Sequence, residues 1–266
     1  SRLDDWPKTV LGKLAQVREI AREHEAVAIL DGGDFFHIKS PSRNSHSLIN
    51  MVAEHHASYK IPVYCNPGNH DSVYGDYAFL EQQPLGVLFA AGVFRRCYDL
   101  HEAIFEIGDL VGLGGTQIVN GSSGYTNKFK VRVVGVPYHG STYDRERFKL
   151  IKKGDEDVLI CIAHVLASPK GGTMFEGEDI IKYSELLDYA PDVFMFGHWH
   201  KVFDLLIRNI ICLGGGCTKD LDTFGRKMKL QYNLAGMIVE LWQDPKGAIT
   251  RYRVEKKQYF DRGYYN

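Results

Sequence analysis

Apolar positions along this chain fall into two textures, helical spacing and short continuous runs, and their order predicts the architecture. Val10, Leu14, Val17 and Ala21 recur at steps of four, three and four after Asp4-Asp5 and Pro7, which predicts an amphipathic helix over 6–24. Ala26 to Leu30 is a continuous apolar run ending at Asp31-Gly32-Gly33, the pattern of a strand buried on both faces. A second helix over 44–58 leads to a second run, Ile61 to Cys65, which stops at Asn66-Pro67-Gly68. This order of helix, strand, helix, strand implies parallel pairing through crossover helices.

A helix is expected over 76–91. After it the texture breaks up with Gly and Asn, and 103–107, 110–116 and 131–137 read as antiparallel strands and hairpins. Helical spacing returns over 143–153, followed by a buried strand at Val158 to Ile162, a helix over 179–188 and a strand at Val193 to Phe196. Strands near 203–213 and 234–255 close the chain. No internal repeat and no linker or low-complexity run divides it, so 1–266 is expected to be a single domain.

Composition narrows the class. With 266 residues, 44% hydrophobic and 24% charged, the chain can bury a sizeable core, which excludes a disulfide miniprotein, a coiled coil and a disordered tail. A net charge of −1 excludes a global basic field for collecting nucleic acid, so any polyanion has to be held locally. The five cysteines, Cys65, Cys97, Cys161, Cys212 and Cys217, are odd in number and show no metal-type pairs, which suits buried reduced thiols in a cytoplasmic protein. No apolar stretch reaches the roughly 18–20 residues that span a bilayer and no signal peptide opens the chain, so no membrane partner is expected.

Four of the apolar strands are followed at once by residues able to bind metal: Asp34, Asn69-His70-Asp71, His164 and His198-Trp199-His200. Each alone has a plainer explanation, as a turn, a cap or a hydrogen-bonded core histidine. Together they are hard to attribute to chance, because ligands of open α/β sheets bind at the carboxyl ends of strands. His198 and His200 alternate along an extended segment and can point at one site. Carboxylate can bridge two divalent ions, imidazole suits Zn, Fe and Mn, and an Asn carbonyl oxygen is a neutral hard ligand. Two such ions clamp a phosphoryl group and generate hydroxide near neutral pH, which is the chemistry of in-line phosphoester hydrolysis.

The motifs Gly33-Asp34-Phe35-Phe36-His37, Gly68-Asn69-His70-Asp71, His164 and Gly197-His198-Trp199-His200 resemble those of the calcineurin-like metallophosphoesterase superfamily in order and placement. The resemblance implies an α/β fold, a four-layer α/β/β/α sandwich of two mixed sheets flanked by helices. It also implies two divalent metal ions, with Mn²⁺ first and Mg²⁺, Fe²⁺ or Zn²⁺ as the other candidates. Asp34 would bridge them, Asn69, His164 and His198 would hold one and His200 the other. His70 would be the catalytic histidine and Asp71 would orient it. The family's initial strand with its Asp-x-His motif does not precede Asp34, and the chain does not begin with Met. Either an upstream segment carries that strand and its ligands or the site is incomplete, and the absence of an initial Met favours the first expectation.

Ser/Thr phosphatases of the superfamily carry Asp and Arg where this chain has His37 and Ile38, which argues against that branch. The stretch from Gly32 to Arg43 is instead similar to the SbcD-type nuclease subunits of double-strand-break repair complexes. That resemblance implies DNA hydrolysis, His37 at the active site holding the scissile phosphodiester, and an SbcC-like ATPase partner. Arg43 is a candidate substrate contact by its charge, while Pro41-Ser42-Arg43 taken alone reads as a simple loop before the 44–58 helix. No capping domain is expected in the residues that remain. The basic clusters 128–132, 145–153 and 226–229 are candidate lines for a DNA track, although such runs are usually solvated faces. The alternatives are a phosphodiesterase or phosphatase on small phosphoesters, and a metal-poor pseudoenzyme that binds DNA or a repair ATPase.

Overall fold

Alternate residues along the strands of each sheet face opposite ways, and this period of two divides the interior into three apolar cores. The computed structural model describes residues 6–38, 40–73, 77–99, 102–110, 116–118, 125–139, 145–174, 178–199, 202–208, 210–215, 234–243 and 249–258. β1 (Ile29–Asp31), β2 (Val63–Cys65) and β3 (Arg95–Arg96) form a parallel sheet in that order. α1 (Trp6–Glu23), α2 (His46–Ala57) and α3 (Pro84–Ala90) accompany it, as the crossover pattern requires.

A seven-stranded mixed sheet is built from β4 (Ala103–Leu110), β5 (Thr116–Ile118), β6 (Tyr125–Val136), β7 (Val158–Ala163), β11 (Val193–Phe196), β12 (Val202–Ile207) and β13 (Ile210–Gly215). Its order is β12-β13-β11-β7-β6-β4-β5, parallel from β6 to β13 and antiparallel at both flanks. The remaining described elements are α4 (Arg145–Leu150), the small sheet of β8 (Leu166–Ser168), β9 (Gly172–Met174) and β10 (Glu178–Lys182), and the antiparallel pair β14 (Leu234–Gln243) and β15 (Ile249–Gln258).

Leu30 and Tyr64 face Val131, Val133, Val158, Ile162, Val193 and Ile211 in the core between the two sheets. Their neighbours Ile29, Val63 and Cys65 face the other way, against Val52, Leu85, Leu88 and Phe94 beneath the helices. On the far side of the large sheet Leu159, Cys161, Phe194 and Cys212 pack on Phe148 of α4 and on Leu186. Helices, sheet, sheet and helices thus form the four-layer sandwich, with a thin fourth layer. The four described cysteines, Cys65, Cys97, Cys161 and Cys212, are buried free thiols, while Cys217 lies outside the described residues. No helix among the described residues is long and apolar enough to cross a membrane.

Several expected elements differ. The helix over 76–91 is a 3₁₀ turn at Tyr77–Gln82 followed by α3, because Pro84 holds Gln83 extended at φ −96° and ψ 156° and breaks the helix there. The helix over 179–188 is β10 and a 3₁₀ turn, Tyr183–Asp188. The β-branched pair Ile180-Ile181 aligns with Leu166 and Ala167 in a parallel ladder, and this tertiary pairing overrides the apolar spacing. The helix over 143–153 is seen as α4 alone, and residues 143–144 lie outside the described set. The deeply buried positions of α1 are Thr9, Lys13 and Ala21, so most of the buried stripe is rotated by one residue from the predicted one. α1 lies against both α2 and β14, so two neighbours set its rotation.

Candidate metal centre

The loops that leave β1, β2, β7 and β11 meet where the two sheets come together. Asp34 follows β1, Asn69 follows β2, His164 directly follows Ala163 of β7, and His198 lies just past β11. One carboxylate oxygen of Asp34 and one ring nitrogen each of His164 and His198 lie within 4.8 Å of one another. His164 Nε2 is 3.4 Å from Asp34 Oδ2. The Asn69 amide oxygen is 3.3 Å from His164 Nε2 and 3.2 Å from His198 Nδ1. The same amide position is 3.2 and 3.0 Å from the two Asp34 carboxylate oxygens.

This geometry is the test of whether a cation fits. With oxygen at that amide position, acceptor atoms of Asn69, Asp34, His164 and His198 face one another, an arrangement that a shared cation relieves. Turning the amide over lets its nitrogen donate to Asp34 instead, so the residue suits both states. His164 Nδ1–H donates to the Gly32 carbonyl at 2.6 Å, which fixes the tautomer and leaves the Nε2 lone pair aimed inward. The described donors therefore fit one divalent ion. His200, expected on a second ion, lies outside the described residues.

Close backbone approach makes the convergence work. A Cβ on Gly197 would meet the Gly32 oxygen at 2.1 Å, and one on Gly68 would meet Asp34 Oδ1 at 2.2 Å. No larger residue fits either place without displacing a ligand. Asp34 and His198 themselves take left-handed backbone angles, φ 60° and 67°, which the packed surroundings impose.

Asp71 was expected to orient His70, and its carboxylate is engaged elsewhere. Oδ2 accepts from the amides of Asp34 at 2.7 Å, Phe35 at 3.3 Å and Gly68 at 3.0 Å, and Oδ1 accepts from Phe36 at 3.0 Å. This buried side chain therefore holds the loop that carries Asp34. One carboxylate cannot lie both beside the imidazole and under the loop, and four converging N–H groups hold it under the loop. His70 is placed instead by its N–H to Asp34 Oδ1 at 2.7 Å and by Nδ1–H to the His37 carbonyl at 2.8 Å. The His37 and His70 rings stack, with centroids 5.0 Å apart and an interplanar angle of 19°.

Electrostatics follow from burial and from these contacts. Burial would raise the Asp34 carboxyl, but the His164 and His70 imidazoles outweigh it and hold Asp34 well below the carboxylate range. Burial lowers His164, and the Asp34 charge overcomes it and moves the imidazole up. Burial, with the Asp71 charge second, pushes Asp31 up to about 7. Burial and the Asp34 charge push Asp71 up to about 6, against the amide bonds from Phe36 and Gly68.

Arg43 is exposed at the end of a 3₁₀ turn, Pro41–Arg43, and Lys39 lies outside the described residues. Asn44, missed in the sequence, is buried and donates to the Ile38 and Ser40 carbonyls at 2.7 and 3.2 Å, which closes the loop after His37. Asn66 stands where the second apolar run stops. It donates to the Val136 carbonyl at 3.0 Å and joins the ends of β2 and β6.

The candidate DNA track is largely neutralised. Lys130 pairs with Asp155, Arg132 with Glu102 and Glu156, Arg145 with Asp179 and Glu185, Arg147 with Asp99, Lys149 with Glu146 and Lys153 with Asp192. Residues 226–229 lie outside the described set.

A four-layer sandwich carrying a histidine and carboxylate centre on converging strand ends defines a metallophosphoesterase. Residues 7–202 match the calcineurin-like phosphoesterase family, and the chain belongs to it. Members of that family bind two divalent metal ions. No curated protein matches the chain. Among solved structures it resembles a putative 5′-nucleotidase from Staphylococcus aureus, with 14% identity, TM-score 0.53, and coverage of 97% of this chain and 50% of that one. It also resembles the sulfate thiohydrolase SoxB of Thermus thermophilus, with 14% identity, TM-score 0.50, and coverage of 94% and 42%. The chain thus spans half or less of the length of these two proteins, and at such identity the likeness concerns the fold.

Proposed function

We propose that this chain is the phosphoesterase part of a metal-dependent nuclease that hydrolyses DNA phosphodiesters, in the manner of the SbcD-type enzymes whose motifs it resembles. The observation that carries the reading is the stacked pair of His70 and His37, with the His70 backbone N–H donating to Asp34. Asp34, Asn69, His164 and His198 would hold a divalent ion, with His200 on a second. Such ions, Mn²⁺ first among the candidates, supply positive charge to a phosphoryl group and a nucleophile at neutral pH.

The chain's own residues do the rest. Nδ1–H of His70 is committed to the His37 carbonyl, which leaves Nε2 to carry a proton to the departing oxygen. His37, stacked on His70, would hold the strand, and exposed Arg43 would contact a neighbouring phosphate. Asp71 keeps the Asp34 loop in place during turnover.

The ion pairs along 130–153 favour a second reading, a small phosphoester substrate, because few of those basic groups remain for a polyanion. The deciding experiment compares linear DNA with a small activated phosphodiester in Mn²⁺, using the full-length protein. A nuclease cleaves the DNA with a shallow salt dependence, about two to four units of log affinity per log salt, since few phosphates are contacted. Undetectable DNA cleavage beside good hydrolysis of the small ester replaces this reading with the second.

A further inference from the structure

We propose that Tyr138 is a positioning residue for the metal centre, its ring bracing the imidazoles of His198 and His164 so that their inward nitrogens stay aimed at the ion. The inference rests on the reading of Asp34, Asn69, His164 and His198 as ligands. Tyr138 follows Pro137 at the end of β6, among residues to which the proposed chemistry assigns no role.

Its ring centroid lies 5.3 Å from that of His198 at 44° and 6.2 Å from that of His164 at 81°. The two imidazoles are 4.9 Å apart at 56°. Three rings in mutual contact and mutually tilted leave none of them free to swing without displacing another. His198 has particular need of such a brace, because its left-handed backbone, φ 67°, persists only where packing imposes it.

Tyr138 is itself clamped from both sides. Its N–H donates to the Pro67 carbonyl at 3.3 Å, and its carbonyl accepts from the Tyr77 hydroxyl. Pro67 lies two residues before Asn69, and Tyr77 begins the turn that follows the Asn69–Asp71 loop. One residue therefore touches the ligand-bearing segments of both sheets. That is the place for a group that keeps Asn69 in register with His164 and His198.

The test measures Mn²⁺ affinity by calorimetry and the visible spectrum of the Co²⁺-substituted protein, with the melting temperature of the metal-free form as a check on folding. Tyr138→Leu is expected to weaken metal binding by roughly 10- to 100-fold and to alter the Co²⁺ bands, as loss of an outer support does. Tyr138→Phe keeps the ring and is expected to bind as the wild type does. Tyr77→Phe removes only the hydroxyl on the Tyr138 carbonyl, and a loss of roughly three- to tenfold is expected, the worth of one hydrogen bond.

Unchanged affinity in Tyr138→Leu overturns the proposal, and so does a loss in Tyr138→Phe as large as in Tyr138→Leu. If Tyr138→Leu does not fold, Tyr77→Phe decides, and unchanged affinity there is equally fatal. A wild-type protein that binds no Mn²⁺ or Co²⁺ overturns the ligand reading together with this one. Binding by the wild type with no effect of these variants overturns this one alone.

Discussion

His70 and His164 are both histidines at strand ends, and their hydrogen bonds assign them different work. His164 is fully enclosed, its Nδ1 committed to the Gly32 carbonyl, so its other nitrogen faces the cation position. His70 touches Asp34 only through its backbone N–H, and its ring leans on His37. His70→Ala is therefore expected to keep the metal content and to lower turnover by about 10² to 10⁴-fold. Metal analysis of the purified variant beside its rate checks this, and loss of the ion would make His70 a ligand. Asp31 offers a test of sign. Folded, it holds its proton up to about pH 7, whereas the unfolded chain releases it near 3.8. Its contribution to stability is complete below the unfolded value, declines as pH rises, and is gone above about 7. Asp31→Asn keeps an acceptor for the Gly33 amide and cannot ionise. With chelator present, its stability relative to wild type is expected to be higher at pH 8 than at pH 4 in urea melts, and a pH-independent difference would refute the burial argument.

α2 shows how one element joins the surface to the site. Ser45 caps it by accepting from Leu48 N–H at 3.1 Å, and Asn44 just before it closes the His37 loop. At its other end His56 is buried between Phe35 and Phe94, with ring centroids at 5.9 and 4.8 Å, and its Nδ1–H donates to the Val52 carbonyl. Phe35 is the neighbour of Asp34, so the end of α2 backs the metal loop. Burial depresses His56 to about 4, while the unfolded residue takes up its proton near 6.5. The stability this neutral histidine provides is complete above pH 6.5 and is lost as pH falls towards 4. His56→Leu is expected to flatten the stability curve in that window by up to one proton, as measured by denaturation midpoints across pH. An unchanged slope would mean that His56 is not the titrating group.

Across the whole molecule, the centre draws Asp34 and Asn69 from loops of the parallel sheet of β1, β2 and β3, and His164 and His198 from the seven-stranded one. An ion bound there fastens the two sheets to each other. Mn²⁺ at one hundred times its dissociation constant is expected to stabilise the fold by about 2.7 kcal/mol, a rise in melting temperature of roughly 5–10 °C that chelator reverses. A melting temperature indifferent to Mn²⁺ would separate the ion from the fold.

The sequence by itself determined the class of fold and pointed to Asp34, Asn69, His164 and His198, which the fold brings together, while His200 of the same expected set lies outside the described residues. Continuous apolar runs mark the strands, of which β2, β7 and β11 are largely buried and β1 half-buried, and Asp34, Asn69, His164 and His198 stand just past them, where parallel strands bring loops together. Tertiary structure alone decided what each neighbour does. Asp71 left the histidine beside it for four amides, three of them over thirty positions away in the chain. Ile180-Ile181 joined a ladder with Leu166 and Ala167 instead of a helix. The basic stretch over 145–153 found its carboxylates at Asp99, Asp179, Glu185 and Asp192 as well as locally at Glu146. The physical reason is common to all three. Apolar periodicity is a local property that the chain carries in its order, whereas the partner of a polar group is whatever folding brings within about 3 Å of it.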